Sequence, residues 1–532
     1  MGTAARGGAN LGLGSWPARR ARISPDRTAL TGHDRTLSYA GLADRTARLA
    51  GALARLGVRP GDRVAQLGVN AVSVFETFFA TWLLGAVAVP LNHRLSGPEI
   101  RYMLADSGAA ALVHSPDADA LVAAASPLPA EVRRVVTVGH PGSGPAGGLD
   151  YETEIAAGPA LDPPPPVALD DPALLLYTSG TTGRPKAAVL THANLTWNTV
   201  NQLAHLDILG GDRVLCIAPL FHAVGLGQIT LPTLFKGGSV EPVPRFDPGA
   251  LLARIGEARI TGFSAVPTML QMLCEHPAWE TADLTSLTTV VYGGSPVQER
   301  VARAWLDRGV RVRQGYGMTE AAPGVCMEPA EPAEPGDQAP GGVLSAGVPH
   351  FFTDLAAYRD GHPAPLTGEP AELLVRGPHV FPGYWNRPGE TAEAFTGDAW
   401  FRTGDVLRVD GEGRAHVVDR VKDMIISGGE NVYPAEVEAV IHQLDEVVTA
   451  AVVGVPDPRW GEVGVAYVEL REGARLTEEA LRAHLAGRLA RYKIPRHLVF
   501  VPGLPANATG KIRRVELRQR AAETFPTPEG PR

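Results

Sequence analysis

Residues 174–186 read LLLYTSGTTGRPK, a run whose side chains suit the holding of a phosphate chain. Thr178, Ser179, Thr181 and Thr182 supply hydroxyls, while Gly180 and Gly183 remove Cβ atoms so that backbone amides can converge on an anion. Pro185 and Lys186 close the stretch with a fixed turn and a cation. The preceding Leu174, Leu175 and Leu176 predict a strand buried on both faces. A polyphosphate is the ligand that such a loop fits. A Walker A loop is excluded, because GxxxxGK[ST] is absent and Pro185 stands directly before the lysine. A plain polar surface loop accounts for the glycines and threonines separately, but poorly for their combination after a buried strand.

The choice of cation narrows the search. Five lysines (186, 236, 422, 493 and 511) stand among 49 basic residues, so arginine is the default cation and each retained lysine invites a reason. An ammonium is a compact charge able to follow a moving phosphoryl oxygen, whereas a guanidinium is a planar fork. Lys236, in the turn FKGG, reads as chance retention.

These groups must be carried by a scaffold, and the flanking pattern supplies one. Helix and strand alternate from residue 35 to about 113, with helices over 39–56 and 72–84 and strands over 64–67 and 86–89. Residues 114–170 are loosely patterned and end in Pro163–Pro166, a stiff approach to the central loop. Alternation then resumes, with helices near 193–204, 224–235, 248–257, 267–275 and 297–308 and strands near 214–218, 261–265, 288–292 and 310–314. Three of these strands lead into unusual loops: Pro219 to His222, Gly293 to Pro296, and Gly315 to Glu320. In a doubly wound sheet the ligand crevice lies outside the carboxyl ends of the strands, so four such loops would face one cleft. Beyond an exposed Pro/Glu loop at 327–343 come a smaller antiparallel β unit, a hinge-like stretch over 420–437 and a compact α/β module. In that module helices fall at 434–443 and 477–490, and strands near 447–454, 463–470 and 498–501.

The whole chain sets further bounds. At 532 residues it exceeds one compact core and predicts two or three domains. Apolar residues at 45% and charged residues at 20% are ordinary for a soluble globular protein. A net charge of -8 argues against a nucleic-acid binder. Cys216, Cys274 and Cys326 lack disulfide or metal spacing, and a reducing cytoplasm is the expected compartment. Residues 1–14 read as a disordered tail without a signal peptide, and no segment is long enough to be a transmembrane anchor. Peripheral membrane contact and a homodimer both stay open.

Six motifs in order now identify a family resemblance: YTSGTTGRPK (177–186), QGYGMTE (314–320), YWNRP (384–388), WFRTGD (400–405), DRVKDMIISGGENVYPAEVE (419–438) and NATGK (507–511). The chain resembles the adenylate-forming superfamily, and within it a standalone fatty acyl-CoA ligase, from about residue 24 to 520. Ala187, where relatives commonly carry glycine, is a small departure. The resemblance implies an α/β fold: a large N-terminal domain (15–420) of doubly wound sheets plus a small β-barrel-like subdomain, then a mobile α+β C-terminal domain (421–532). It also implies the reaction. A carboxylate attacks the α-phosphorus of ATP to give acyl-AMP and pyrophosphate, and the thiol of coenzyme A then displaces AMP. Phosphoryl transfer of this kind needs positioning and charge neutralisation more than covalent help.

By the same resemblance Thr178, Ser179, Thr181, Thr182 and Lys186, with Gly180 and Gly183, cradle the β- and γ-phosphates. Glu320 would hold Mg²⁺ and Thr319 would contact the α-phosphate. Tyr316 and Gly317 would pack on the adenine, with Gly293, Gly294 and Ser295 covering its other side. Asp405 and Arg420 would hold the ribose, the lesser alternative being a salt bridge across the domain boundary. His222 would line the carboxylate or thiol passage. Lys422 would be the hinge, and Gly428 and Gly429 would present a loop to the pantetheine arm. Lys511, brought in by the C-terminal domain, would bridge carboxylate and α-phosphate as charge develops; its acetylation would remove that charge.

The acyl pocket is expected between residues 221–227, 263–268 and 315–318, where Ala223, Gly225, Gly227 and Gly317 suggest room for a sizeable group. Fatty, aryl and polycyclic acids all remain open. The alternatives are an acyl-AMP ligase loading a carrier-protein pantetheine, a luciferase-like acyl-AMP oxidase and a non-enzymatic binding protein of this fold. Lys511→Ala should abolish adenylation measured as pyrophosphate release, yet leave coenzyme A attack on supplied acyl-AMP largely intact. Equal loss in both half-reactions would refute the assignment.

Overall fold

The computed structural model describes residues 9–139, 148–178, 185–294, 297, 299–329, 345–359, 361–427, 430–458, 460–486, 488–506 and 512–526. The chain divides into two compact units: Met1–Gly336 with Ala346–Asp354 and Val375–Phe401, and Asp337–Ser345 with Leu355–Leu374 and Arg402–Arg532.

Two sheets build the first unit. One runs Gly383–Tyr384, Lys186–Thr191, Pro172–Thr178, Val87–Leu91, Arg63–Leu67, Ala109–His114, Arg134–Thr137, Leu149–Asp150. It is parallel from Pro172–Thr178 onward and antiparallel at the other edge. The second runs Val348–Pro349, Gly324–Met327, Val312–Gly317, Thr289–Gly293, Gly262–Ala265, Arg213–Cys216, Ser239–Pro242, Thr28–Thr31, Thr36–Ser38, with a parallel centre and antiparallel edges. Val87–Leu91 and Ala109–His114 are buried at every residue, as strands covered on both faces require. Helix Val72–Leu83 is buried all round and lies in the core, while Gly97–Ser107 is fixed at its start by a Ser96/Glu99 capping box.

Several sequence expectations change here. Residues 134–156 were expected to be loosely patterned but carry two further strands and the helix Tyr151–Ala156. The single helix expected over 224–235 is two, Ala223–Gly227 and Thr230–Lys236, because Ile229 leaves helical geometry (φ -130°, ψ -22°). Residues 9–14, expected within a disordered tail, are placed in the fold. Asn10 donates to the carbonyls of Leu83 (3.1 Å) and Pro165 (3.0 Å), and Leu13 is fully buried.

The second unit holds a five-stranded sheet, His362–Ala364, Asp354–Arg359, Ala371–Arg376, Phe401–Val409, Ala415–Arg420, whose two outer pairs are antiparallel. Its other sheet contains Ile425–Ser427, Glu430–Val432, Gly461–Leu470, Val447–Asp457 and His497–Val501, covered by helices Pro434–Ile441, Glu478–Ala486 and Arg514–Thr524. The small β sheet was expected within the N-terminal domain, but it falls largely in this second unit. That grouping describes compactness, whereas a hinge at Lys422 is a matter of motion.

Burial acts on several imidazoles of the first unit. Burial pulls His192, His222 and His379 down to about 4, and holds His350 far below the usual imidazole range beside His205 and His379. Between pH 4 and 6.5 the unfolded chain binds more protons at these groups than the fold does. Their stabilisation is complete above pH 6.5 and is lost as pH falls toward 4. Asp419 in the second unit, raised to about 6 by burial, acts in the opposite sense. Tm should fall from about pH 7 to about pH 5, and the fall should be shallower in His192→Asn, which keeps an acceptor for the Leu13 N–H. An unchanged slope would refute this.

Candidate active site

The phosphate-loop motif lies in a β-hairpin. Pro172–Thr178 pairs antiparallel with Lys186–Thr191, Thr178 facing Lys186, so a strand follows the connection where a Walker A loop would have a helix. Ser179, Gly180, Thr181, Thr182 and Gly183 lie outside the described residues. Both stems are fastened to helix Gly97–Ser107. Tyr177 donates its hydroxyl to Asp106 (2.9 Å) and to the Met103 carbonyl (3.0 Å), and Tyr102 donates to the carbonyl of Pro185 (3.1 Å). Arg387 pairs with Asp106 at 2.7 Å and reaches the Tyr102 oxygen at 3.4 Å. Burial and the Asp106 charge raise the Tyr177 phenol, so it stays protonated as a donor.

Lys186 and Glu320 converge on one short segment. The Lys186 ammonium lies 3.1 Å from Glu390 and 3.7 Å from the centre of the Tyr384 ring. The Tyr384 hydroxyl in turn donates to Glu320 Oε1 at 2.8 Å. Burial, then the Glu320 charge, raises the Tyr384 phenol. Glu320 and Thr319 sit in the turn Thr319–Ala321 just past Val312–Gly317, and the Phe381 N–H donates to the Glu320 carbonyl (2.8 Å).

The motif Gly315–Tyr316–Gly317 was expected in a loop but continues the strand, paired with Gly293 on one side and with Gly324–Met327 on the other. Gly293 ends the neighbouring strand, and Gly294 takes φ +96°, a left-handed conformation that favours glycine. Ser295 lies outside the described residues.

His222 precedes helix Ala223–Gly227 in a segment held by Asn70. The Asn70 amide donates to the carbonyls of Cys216 and Ala218 (both 3.0 Å) and accepts from Leu220 N–H (3.0 Å). His222 Nε2 is buried without a hydrogen-bond partner among the described residues. The nearby glycines do not leave the room expected of them. A Cβ would meet the Pro219 carbonyl at 2.3 Å from Gly225, the Ala322 carbonyl at 2.4 Å from Gly227, and the Pro323 carbonyl at 1.8 Å from Gly317. Backbone, packed against backbone, fills the space that small side chains suggested.

In the second unit Asp405 faces Arg420 across adjacent strands, with an ion pair of 2.9 Å. The salt bridge weighed from sequence therefore exists, inside one unit. The Lys422 carbonyl accepts from Arg518 (3.0 Å), which also pairs with Asp423 at 2.7 Å. Gly428, Gly429 and Lys511 lie outside the described residues.

Sequence reasoning missed Tyr102, Asp106, Asn70, Tyr384, Arg387 and Glu390. The motif YWNRP held the only local signal. Tyr102→Phe removes the hydrogen bond to Pro185, worth about 1 kcal/mol, and should raise KM for ATP roughly fivefold with the Tm little changed. An unaltered KM would show that the stem needs no such tie.

Residues 17–385 match the AMP-binding enzyme family and residues 436–511 the AMP-binding enzyme C-terminal domain. The chain is 51% identical to a feruloyl-CoA synthase of an Amycolatopsis species, over 96% of this chain and 99% of that one. It is 41% identical, at the same coverages, to the indoleacetate–CoA ligase of Aromatoleum aromaticum. Among solved structures, ATP-bound MatB from Rhodopseudomonas palustris matches with a TM-score of 0.85 and 32% identity, over 96% of this chain and 99% of that one. The chain belongs to the AMP-binding enzyme family and is an ATP-dependent acyl-CoA ligase of the adenylate-forming superfamily, joining a carboxylic acid to coenzyme A through an acyl adenylate.

Proposed function

We propose that the acid activated is a compact aromatic acid of the arylpropenoate class. The observation that carries this reading is the order of identity among the named relatives, and the packing of the Pro219, Ala322 and Pro323 carbonyls where a Cβ would stand on Gly225, Gly227 and Gly317 agrees with a compact acid. Feruloyl-CoA synthase and indoleacetate–CoA ligase, named for aromatic acids, stand at 51% and 41% identity, against 35% for a long-chain fatty-acid ligase of Mycobacterium tuberculosis.

Within this reading Thr178, Lys186 and the hydroxyls and glycines between them receive the triphosphate. Lys186 leaves Glu390 to do so. Glu320 with Thr319 fits Mg²⁺: this ion takes one or two protein carboxylates and completes its shell with phosphate oxygens and water, and Glu320 is one carboxylate oriented by the Tyr384 hydroxyl at the strand end. Bound there, Mg²⁺ would neutralise phosphate charge. Tyr316, Gly317 and Gly293 to Ser295 flank the adenine, and Asp405 and Arg420 hold the ribose. Lys511 then stabilises the charge of adenylation, after which turning about Lys422 brings Gly428 and Gly429 to the pantetheine.

The test is pyrophosphate release, with and without coenzyme A, over hydroxycinnamic, indoleacetic, benzoic, hexadecanoic and polycyclic acids. Hydroxycinnamic acids should give the highest kcat/KM, at least about tenfold above hexadecanoic acid. The reverse order would overturn the assignment.

A further inference from the structure

The cation at the end of the phosphate hairpin already has an anion. Lys186 Nζ stands 3.1 Å from Glu390 Oε2, and Glu390 follows a segment that pairs with the strand Lys186 opens. Gly383 and Tyr384 pair antiparallel with Val189 and Ala188, and the Trp385 N–H donates to the Ala187 carbonyl (2.8 Å). Helix Pro388–Ala394 carries Glu390 in its first turn, and its Thr391 hydroxyl oxygen accepts from the Tyr384 N–H (2.9 Å). Backbone pairing and Thr391 therefore place the Glu390 segment, so the ion pair is not needed to hold it.

Two features make the pair exchangeable. Its side chains are 18% and 33% exposed, so water reaches both and parting them strands no fully buried charge. Glu390 also has a second cation at hand. Its other oxygen, Oε1, lies 3.8 Å from Arg387 Nε, and Arg387 is itself held by Asp106 at 2.7 Å. Lys186 for its part rests 3.7 Å from the centre of the Tyr384 ring, a contact that does not depend on which anion it meets.

Resting on the reading that Lys186 receives the triphosphate, we propose that Glu390 is a positioning residue that acts as an exchangeable counter-ion. It holds Lys186 before nucleotide binds, yields it to the β- and γ-phosphates while turning to Arg387, and takes it back as pyrophosphate leaves. Carboxylate and polyphosphate thus compete for one ammonium. The Glu390 charge weakens the binding of ATP and pyrophosphate alike, which favours release of the pyrophosphate that adenylation forms. AMP has neither the β- nor the γ-phosphate and stands outside this competition.

Isothermal titration calorimetry of ATP, pyrophosphate and AMP, each with Mg²⁺ and without a carboxylic acid, tests this in the absence of turnover. Glu390→Gln, which keeps the shape and removes the charge, should bind ATP and pyrophosphate about fivefold more tightly, about 1 kcal/mol, with AMP unchanged. A merely structural role would instead weaken all three. In a Lys186→Met background the same substitution should change none of them. Glu390→Ser is measured beside it, so that either neutral variant that folds decides the matter. ATP affinity unchanged or weakened by Glu390→Gln, an equal gain for AMP, or a gain that persists in Lys186→Met would overturn the proposal. Weaker binding of ATP and pyrophosphate in Lys186→Met, with no gain in Glu390→Gln, removes the counter-ion alone. If Lys186→Met binds both as the wild type does, the assignment of Lys186 to the triphosphate falls as well.

Discussion

The first unit depends on how the connection between residues 178 and 186 is held at its stems. Tyr177 and Tyr102 tie the two stems to helix Gly97–Ser107, and Arg387 ties that helix to the segment carrying Tyr384 and Glu390. The antiparallel hairpin adds register, setting Thr178 opposite Lys186 beside the parallel part of the sheet. A strand thus stands after this connection where a Walker A loop would have a helix.

Charge is arranged as tightly as geometry. Lys186 is met by Glu390 and by the face of Tyr384, while the Tyr384 hydroxyl holds Glu320. One aromatic ring therefore connects the cation of the hairpin with the carboxylate just past strand Val312–Gly317 of the other sheet. Held by the Tyr384 hydroxyl, the Glu320 carboxylate keeps its position with little reorganisation, the condition under which electrostatic stabilisation is most effective.

The second unit shows the same economy around its hinge-like stretch. Asp419 accepts from the N–H groups of Arg420 (2.7 Å) and Ala435 (2.9 Å), capping the start of helix Pro434–Ile441. Arg514 makes two bonds to the buried carboxylate of Glu438 (2.7 and 2.8 Å), and Arg518 holds Asp423. Removing one partner from such a buried pair costs more than the pair contributes, so the residues flanking Lys422 are bound firmly to the module that follows them.

What the sequence by itself determined was the chemistry and the alternation of elements. Thr178 to Lys186, QGYGMTE and the retained lysines are unusual combinations of residue types within a few positions, and apolar runs such as Leu174 to Leu176 carry their burial in their composition. Tertiary structure alone decided which residues serve those motifs. Tyr102 acts on Pro185 from 83 positions away, Asp106 on Arg387 from 281, and Asn198 on Gly324 from 126, separations at which no periodicity survives. It also reversed the meaning of Gly225, Gly227 and Gly317. A missing side chain reads in sequence as space for a ligand, whereas in the fold another stretch of backbone occupies that space, because close packing fills whatever volume small residues leave.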